Sequence, residues 1–296
     1  MSGSPTLLGT MTAVASPLLW PVRAIGALLP DGWKGFARQV AVFVPFDVAY
    51  EASRTFAQGG RPTALGHARD VVKAERSLGI YWELAVQDWA RDAPGIVMEV
   101  AKFTYFQCQF TITFGFVIWV YIWRHSAYTL LRNVLFATFM LAVPGYIFYP
   151  TAPPRLLVEE HFRDPLADAA LNQQGTLVTL FGNPYAAMPS LHTATAILVG
   201  ACGALVARHA LVKLMWALYP ALVVFSIVAT ANHFFLDAIA GAGVLAIALA
   251  IVLALHRRQG WSIAPLRPAG NRSPAGTDRS STRLADVADG LQTSDR

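Results

Sequence analysis

The chain has 296 residues, 55% of them hydrophobic and only 14% charged, with a mean hydropathy of +0.44. Soluble domains carry roughly a quarter charged residues, so this composition excludes a disordered chain, a coiled coil and a disulfide scaffold, and it points to the bilayer. The formal charge of +5 comes from basic residues scattered through apolar sequence, which fits sorting of lysine and arginine by membrane side rather than a nucleic-acid surface.

In chain order, residues 7–29 are apolar but broken by Pro17, Pro21 and Arg23. No basic n-region precedes them, so residues 1–35 read as an N-terminal interfacial segment rather than a cleaved signal. Residues 36–56 form a first span interrupted by Pro45, Asp47 and Glu51. Over 64–89 the pattern predicts an outer amphipathic helix. Leu65, Ala68, Val71, Val72 and Leu78 recur near helical spacing, and Tyr81, Trp82 and Trp89 suit the interface. It reads as a lid or entry ledge, or as a structural cap on the bundle. The runs 103–123, 130–149, 210–231 and 234–255 reach the roughly 20 apolar residues that a crossing needs, and 191–207 is shorter but uncharged. The expected fold is therefore all-α: a polytopic membrane helix bundle of about six transmembrane helices over residues 36–258, with the outer amphipathic loop. Residues 264–296, rich in Pro, Ser, Gly, Arg and Asp, read as a disordered cytoplasmic tail. Cys108 and Cys202 lie in apolar runs and read as buried thiols.

Charge asymmetry orients the bundle. Arg23, Lys34 and Arg38, then Arg124 and Arg132, then Arg208 and Lys213, then Arg257 and Arg258 fall on one side of a six-span layout. Loops 54–92 and 155–168, where bases are matched by acids such as Glu75, Glu83, Asp88, Glu159 and Asp168, fall on the other. The first side reads as cytoplasmic, with both termini inside a plasma membrane; the alanine-, arginine- and glycine-rich composition fits a bacterium.

Polar groups within or beside spans are costly and mark function by default. Three clusters qualify. Tyr149-Pro150-Thr151-Ala152-Pro153-Pro154-Arg155 ends the third span, where prolines stop the helix and hold Arg155 near the membrane surface. Met188-Pro189-Ser190-Leu191-His192 opens the fourth, with proline suited to a first helical turn and free N–H groups beside Ser190 able to hold an anion. Asn232-His233-Phe234-Phe235-Leu236-Asp237 opens the sixth; at a spacing of four, His233 and Asp237 share one helical face. Singly, each has an ordinary structural account in capping, snorkelling or packing. In the six-span layout all three reach the outer end of their spans, where two histidines, an aspartate, an arginine and a helix N-terminus make a phosphoryl-transfer set.

Pro189-Ser190-Leu191-His192 and His233-Phe234-Phe235-Leu236-Asp237 resemble the second and third signatures of the type-2 phosphatidic acid phosphatase superfamily, which also includes vanadium haloperoxidases. The stretch ending in Arg155 is similar to the branch near inositol phosphorylceramide synthases, and the likeness covers residues 146–243. It implies a metal-independent lipid phosphate phosphatase or phosphotransferase working through a phosphohistidine, with no cofactor. His233 would be the nucleophile, Asp237 its orienter and His192 the general acid and base. Arg155 and Ser190 would bind phosphate, and Asn232 and Tyr149 are candidates for an acceptor pocket. The substrate would be a lipid-linked phosphate, and the acceptor water or an alcohol such as inositol. Two departures stand out. The first signature usually has a lysine where this chain has Phe148, and the third usually begins Ser-Arg where this chain has Ser226-Ile227. Losing two cationic contacts favours a less charged, phosphodiester-type or transferase substrate. The competing readings are a metal-dependent membrane hydrolase, since two histidines and an aspartate also make a metal triad, and a non-catalytic lipid transporter. The transporter reading is weakened by the lack of an internal repeat. Gly200, Gly203, Ala204, Gly241 and Gly243 read as small-residue helix packing. Asn183, Tyr185, His161 and the pair Asp47 and Arg54 carry less weight.

Overall fold

The structure is a computed structural model that describes residues 20–56, 60–165 and 185–258. Residues 1–19, Asp168, Asn183, the tail 264–296 and the side chains of Arg54 and Cys108 lie outside the described residues. Among those described, every extended element is helical, and the only sheet-type pairing is a single bridge between Thr151 and Ala186. In chain order the helices are α1 (Trp20–Leu28), α2 (Gly32–Phe56), α3 (Arg61–Leu78), α4 (Glu83–Asp92) and α5 (Ile96–Phe103). A π turn (Thr104–Cys108) leads into α6 (Gln109–Trp123), followed by α7 (His125–Phe148), α8 (Leu191–Val206), α9 (Ala210–Ala229) and α10 (Phe235–Arg258).

Each stretch read as a span is helical, but the count of six is not reached on length and apolarity. Helices α7, α9 and α10 qualify, and α5 with α6 adds a fourth if taken together across a 51° bend. The charges and proline inside α2 and the 16-residue length of α8 keep those two short of the criterion. Helix α8 lies against α9 and α10, and α10 against α7, so the uncharged α8 is enclosed by longer neighbours. Leu211, Leu214, Met215, Leu218 and Leu222 of α9 and Ile239, Ile247 and Ile251 of α10 point outward. That much exposed aliphatic surface is tolerable only against lipid. The chain is an integral membrane protein.

The outer amphipathic stretch is two helices, not one. Gly79 adopts φ +70° and its N–H, with that of Ile80, returns to the carbonyls of Arg76 and Glu75, closing α3 with a left-handed cap. Helix α4 then sets off in a new direction. The pair is docked rather than loose: Ala64, Ala68, Val71 and Val72 of α3 form a small core with Ala152, Leu157 and Phe234. On α4, the buried Gln87 donates to the carbonyls of Arg163 and Ala229 and accepts the N–H of Arg163. Trp82 and Trp89 remain exposed.

Packing of small residues decides how closely the motif-bearing helices approach. A Cβ on Gly241 would sit 2.1 Å from the Ser190 carbonyl oxygen, and one on Gly145 would sit 2.6 Å from Pro189 Cδ. Gly200 and Gly203 likewise admit Trp216, whereas Gly243 faces open space and does no such packing. Cys202 is half-buried in α8.

Candidate active site

The three motif segments are stitched together through their backbones. Thr151 N–H donates to the Tyr185 carbonyl, and Ala187 N–H to that of Thr151. Arg155 N–H reaches the carbonyl of Ala231, and Ser190 N–H that of Asp237 at 2.9 Å. Tyr146 adds its hydroxyl to the Pro189 carbonyl. Segments far apart in sequence thus share one hydrogen-bonded floor, and the side chains above it are fixed relative to one another.

His233 does not sit on a helix. Helix α10 begins at Phe235, so the spacing of four that suggested a shared helical face acts instead through a turn. Asp237 folds back over the helix start: its Oδ2 accepts the N–H of Phe234 at 2.9 Å and lies 3.3 Å from His233 Nδ1. The Ala187 carbonyl lies closer to the same ring nitrogen, at 2.9 Å. Because both neighbours are acceptors, Nδ1 carries the hydrogen and the neutral ring keeps its lone pair on Nε2. The turn itself is held from α9, where the Ile227 carbonyl accepts the N–H groups of both Asn232 and His233. Ala231 adopts φ +52°, a left-handed conformation that costs a non-glycine residue roughly 1–2 kcal/mol. His233 is nearly and Asp237 fully buried.

His192, in the first turn of α8, brings its ring to 5.4 Å from that of His233. The other face of His192 is stacked on Tyr105 at 4.9 Å and 19°. Tyr105 comes from the π turn that bends α5 against α6, and such turns recur at functional sites because they re-aim side chains. Sequence reading missed Tyr105; the run of aromatic residues around it gave no period that would single it out.

Ser190 is the N-cap of α8, accepting from Thr193 N–H at 3.4 Å. Pro189 therefore precedes the cap and is not in the first helical turn. Ser190 is fully buried, and the Thr193 hydroxyl lies 3.4 Å from its Oγ. Arg155 is held rather than free: it donates through Nη1 to Asn232 Oδ1, and its Nε is 3.7 Å from Asp164. The amide nitrogen of Asn232 donates in turn to the carbonyl and hydroxyl of Thr230. Asn232 thus links Arg155 to Thr230, its oxygen on the guanidinium and its nitrogen on Thr230. Tyr149 stacks on His67 of α3 at 4.1 Å and 13°, and His67 Nδ1 donates to the Pro150 carbonyl at 2.8 Å. Burial raises the Tyr149 hydroxyl above its ordinary value, with Asp70 and Asp237 adding to the effect. His161, at φ +62°, stands exposed at the rim.

The two positions where the resemblance leads one to expect cations are structurally committed elsewhere. Phe148 points away, 80% exposed. Ser226 and Ile227 are buried within α9, where Ser226 Oγ donates to the Leu222 carbonyl.

Comparison with known proteins gives one match. The family model described as the PAP2 superfamily matches residues 69–251, more than half of the chain. No curated protein and no solved structure matches it.

Proposed function

The chain belongs to the PAP2 superfamily, whose members have a membrane phosphatase-type function, and from that premise we propose that it moves the phosphoryl group of a lipid-linked phosphate through a phosphohistidine on His233. The observation that carries this reading is the pair of acceptors, the Ala187 carbonyl and the Asp237 carboxylate, around His233 Nδ1. With Nδ1–H held by Ala187 and Asp237, the lone pair stays on Nε2, and the centre of a second imidazole ring lies 5.4 Å from that of His233.

In the first step Nε2 of His233 attacks phosphorus, the bond to the lipid oxygen breaks, and His192 in its protonated form gives that oxygen a proton. The positive charge that develops on the His233 ring is balanced by the Asp237 carboxylate. In the second step neutral His192 takes a proton from the acceptor. The acceptor oxygen displaces His233 from phosphorus, and the nitrogen–phosphorus bond breaks. Arg155, braced by Asn232, and the amides at the start of α8 below Ser190 neutralise the equatorial phosphoryl oxygens, where transition-state charge spreads. The Tyr149–His67 stack forms the wall on the acceptor side. The reaction needs no metal in this reading, and it takes place at the extracytoplasmic face, with the termini inside.

One observation favours transfer to an alcohol over hydrolysis of a phosphomonoester. The site has one guanidinium and no second arginine or lysine where the superfamily usually has them, since Phe148 faces outward and Ile227 is buried. A single guanidinium, with no further fixed arginine or lysine at those two positions, matches a phosphodiester, or the monoanionic phosphoryl group of a headgroup-transfer substrate, better than a dianion.

The test is to incubate purified protein in lipid nanodiscs with a panel of lipid phosphates, with and without inositol, and to identify products by mass spectrometry. We expect turnover that resists chelators, is inhibited by vanadate, and disappears in His233→Ala. Full phosphate release by His233→Ala would end the proposal. Turnover abolished by chelators would favour the metal-dependent reading, and lipid flux surviving loss of both histidines would favour a transporter.

A further inference from the structure

Two glutamates that play no part in this reading lie against the head of α10, just after the turn that carries the nucleophile. Glu75 of α3 and Glu83 of α4 are both completely buried, a rare state for a carboxyl group unless it is paired. Glu83 Oε1 accepts the N–H of Phe235 at 2.9 Å, and Glu75 Oε1 accepts that of Leu236 at 2.7 Å. With Asp237 taking the N–H of Phe234, three successive amides at the head of α10 end on three different carboxyls. Two of these come from the outer helices, 152 and 161 positions away in sequence. The positive end of a helix favours negative charge there, but three carboxylates buried side by side repel one another.

The other oxygens decide how the conflict is resolved. Among the described residues, Oε2 of Glu75 and Oε2 of Glu83 are buried and receive no hydrogen bond from any N–H or hydroxyl group, while the two carboxyl groups are within hydrogen-bonding reach of each other. Two carboxylates cannot make that contact; an acid and a carboxylate can. Burial, then the bond to Glu83, pushes the Glu75 carboxyl up to about 9. Around the pair stand Asp237 and, through it, His233 on the α10 side. Tyr81 lies between the outer helices, and Arg76 of α3 and Glu160 from the segment after α7 engage Tyr81.

We propose that Glu75 and Glu83 share one proton and act jointly as positioning residues, clamping the first turn of α10 so that His233 and Asp237 hold their alignment. This rests on the assignment of His233 as nucleophile. Neither glutamate touches substrate. Each fastens an outer helix to the backbone that carries the reacting ring, and the shared proton lets two acids occupy one helix terminus. Removing that proton leaves two facing carboxylates, so the clamp loosens on the alkaline side and turnover falls with it.

Glutamine is the informative substitution, because its oxygen still accepts the helix N–H while its amide nitrogen donates to the opposite carboxylate as the acid does. The full chain in nanodiscs is assayed as wild type, Glu75→Gln, Glu83→Gln, the double glutamine variant and Glu75→Ala. Each single glutamine variant should keep most of its kcat at neutral pH and lose the alkaline fall expected of the wild type near pH 9. In the double variant, amide faces amide, and kcat should drop by about 10²-fold with little change in KM, the scale set by misplacing a reacting group by an ångström. Glu75→Ala should behave likewise. A single glutamine variant with the wild-type alkaline fall, or a double variant as active as either single one, would overturn the clamp. A second reading needs no turnover: the infrared spectrum at neutral pH should contain a protonated-carboxyl C=O band that each single glutamine variant loses. If neither substitution removes it, the shared proton is refuted. If the wild type shows the band but no turnover, it is the nucleophile assignment that fails.

Discussion

Replacing Asp237 with asparagine separates its charge from its shape. In the wild type Oδ2 accepts the Phe234 N–H at 2.9 Å and the longer of two contacts from His233 Nδ1, at 3.3 Å. Asparagine can present its oxygen to both donors, which puts its amide nitrogen where Oδ1 now lies buried with no hydrogen-bond partner. The helix start and the ring position should therefore survive, while the negative charge beside the developing imidazolium is gone. Where an aspartate alone fixes a catalytic histidine, this change costs about 10⁴-fold because the ring adopts the wrong tautomer. Here the Ala187 carbonyl holds Nδ1–H at 2.9 Å, so the tautomer does not depend on Asp237. What is lost is one charge-assisted hydrogen bond, about 1.5–3 kcal/mol. At tenfold per 1.36 kcal/mol, this is a fall of roughly 10- to 150-fold in kcat. The assay is steady-state turnover of the best lipid phosphate, with melting followed in parallel to confirm folding. A folded variant that loses about 10⁴-fold would show that the carbonyl does not set the tautomer. One with wild-type kcat would show that no charge develops on His233.

Gly241→Ala forces a methyl group to within 2.1 Å of the Ser190 carbonyl oxygen. Overpacking of this kind costs typically about 1–3 kcal/mol, and it should appear as a lowered melting temperature together with reduced turnover, since α8 carries His192 and α10 carries Asp237 next to the His233 turn. Ala231→Gly should stabilise the protein by about 0.5 kcal/mol or slightly more, the relief of a left-handed alanine less the added entropy of glycine; a lower melting temperature would contradict the strain assigned to φ +52°. Arg155→Lys keeps the charge but cannot reproduce the fork that meets Asn232 and Asp164. Loss of an oriented oxyanion donor predicts about a 10²- to 10³-fold fall in kcat, and near-normal turnover would show that a point charge suffices. The folded value of the Glu75 carboxyl lies above its ordinary 4.5, at about 9. The native state thus binds the extra proton across that window, and stability falls as pH rises through it. Melting temperatures that climb between those limits in wild type relative to Glu75→Gln would reverse the sign and refute the assignment.

The helices were legible because apolar runs longer than a soluble core needs leave little choice, and α7, α9 and α10 fall where hydropathy predicts them. The span count was less legible: Asp47, Glu51 and Pro45 dilute α2, and α8 gains its place from neighbours rather than from its own length. The residues of the three motifs were legible as polar groups at span ends, and the structure brings His233, Asp237, His192, Arg155 and Ser190 into one neighbourhood. Their local geometry was not. A four-residue spacing suggests a helical face, but Asp237 reaches back across a helix start. The partners of Asn232, Arg155 on one side and Thr230 on the other, could not be read from its position before His233. Glu75 and Glu83 looked like ordinary acids on an amphipathic, solvent-facing helix, since pattern alone cannot tell a buried carboxyl from a solvated one. Only the docking of α3 and α4 onto α10 reveals them.

That docking also bears on how the protein is made. Helices α3 and α4 leave the ribosome well before the stretch around residue 235 that they grip, at about 5–20 residues per second. Their two glutamates have no helix N–H of α10 to accept until the head of that helix arrives. On the proposed shared proton, seating that head is also a step that takes up a proton.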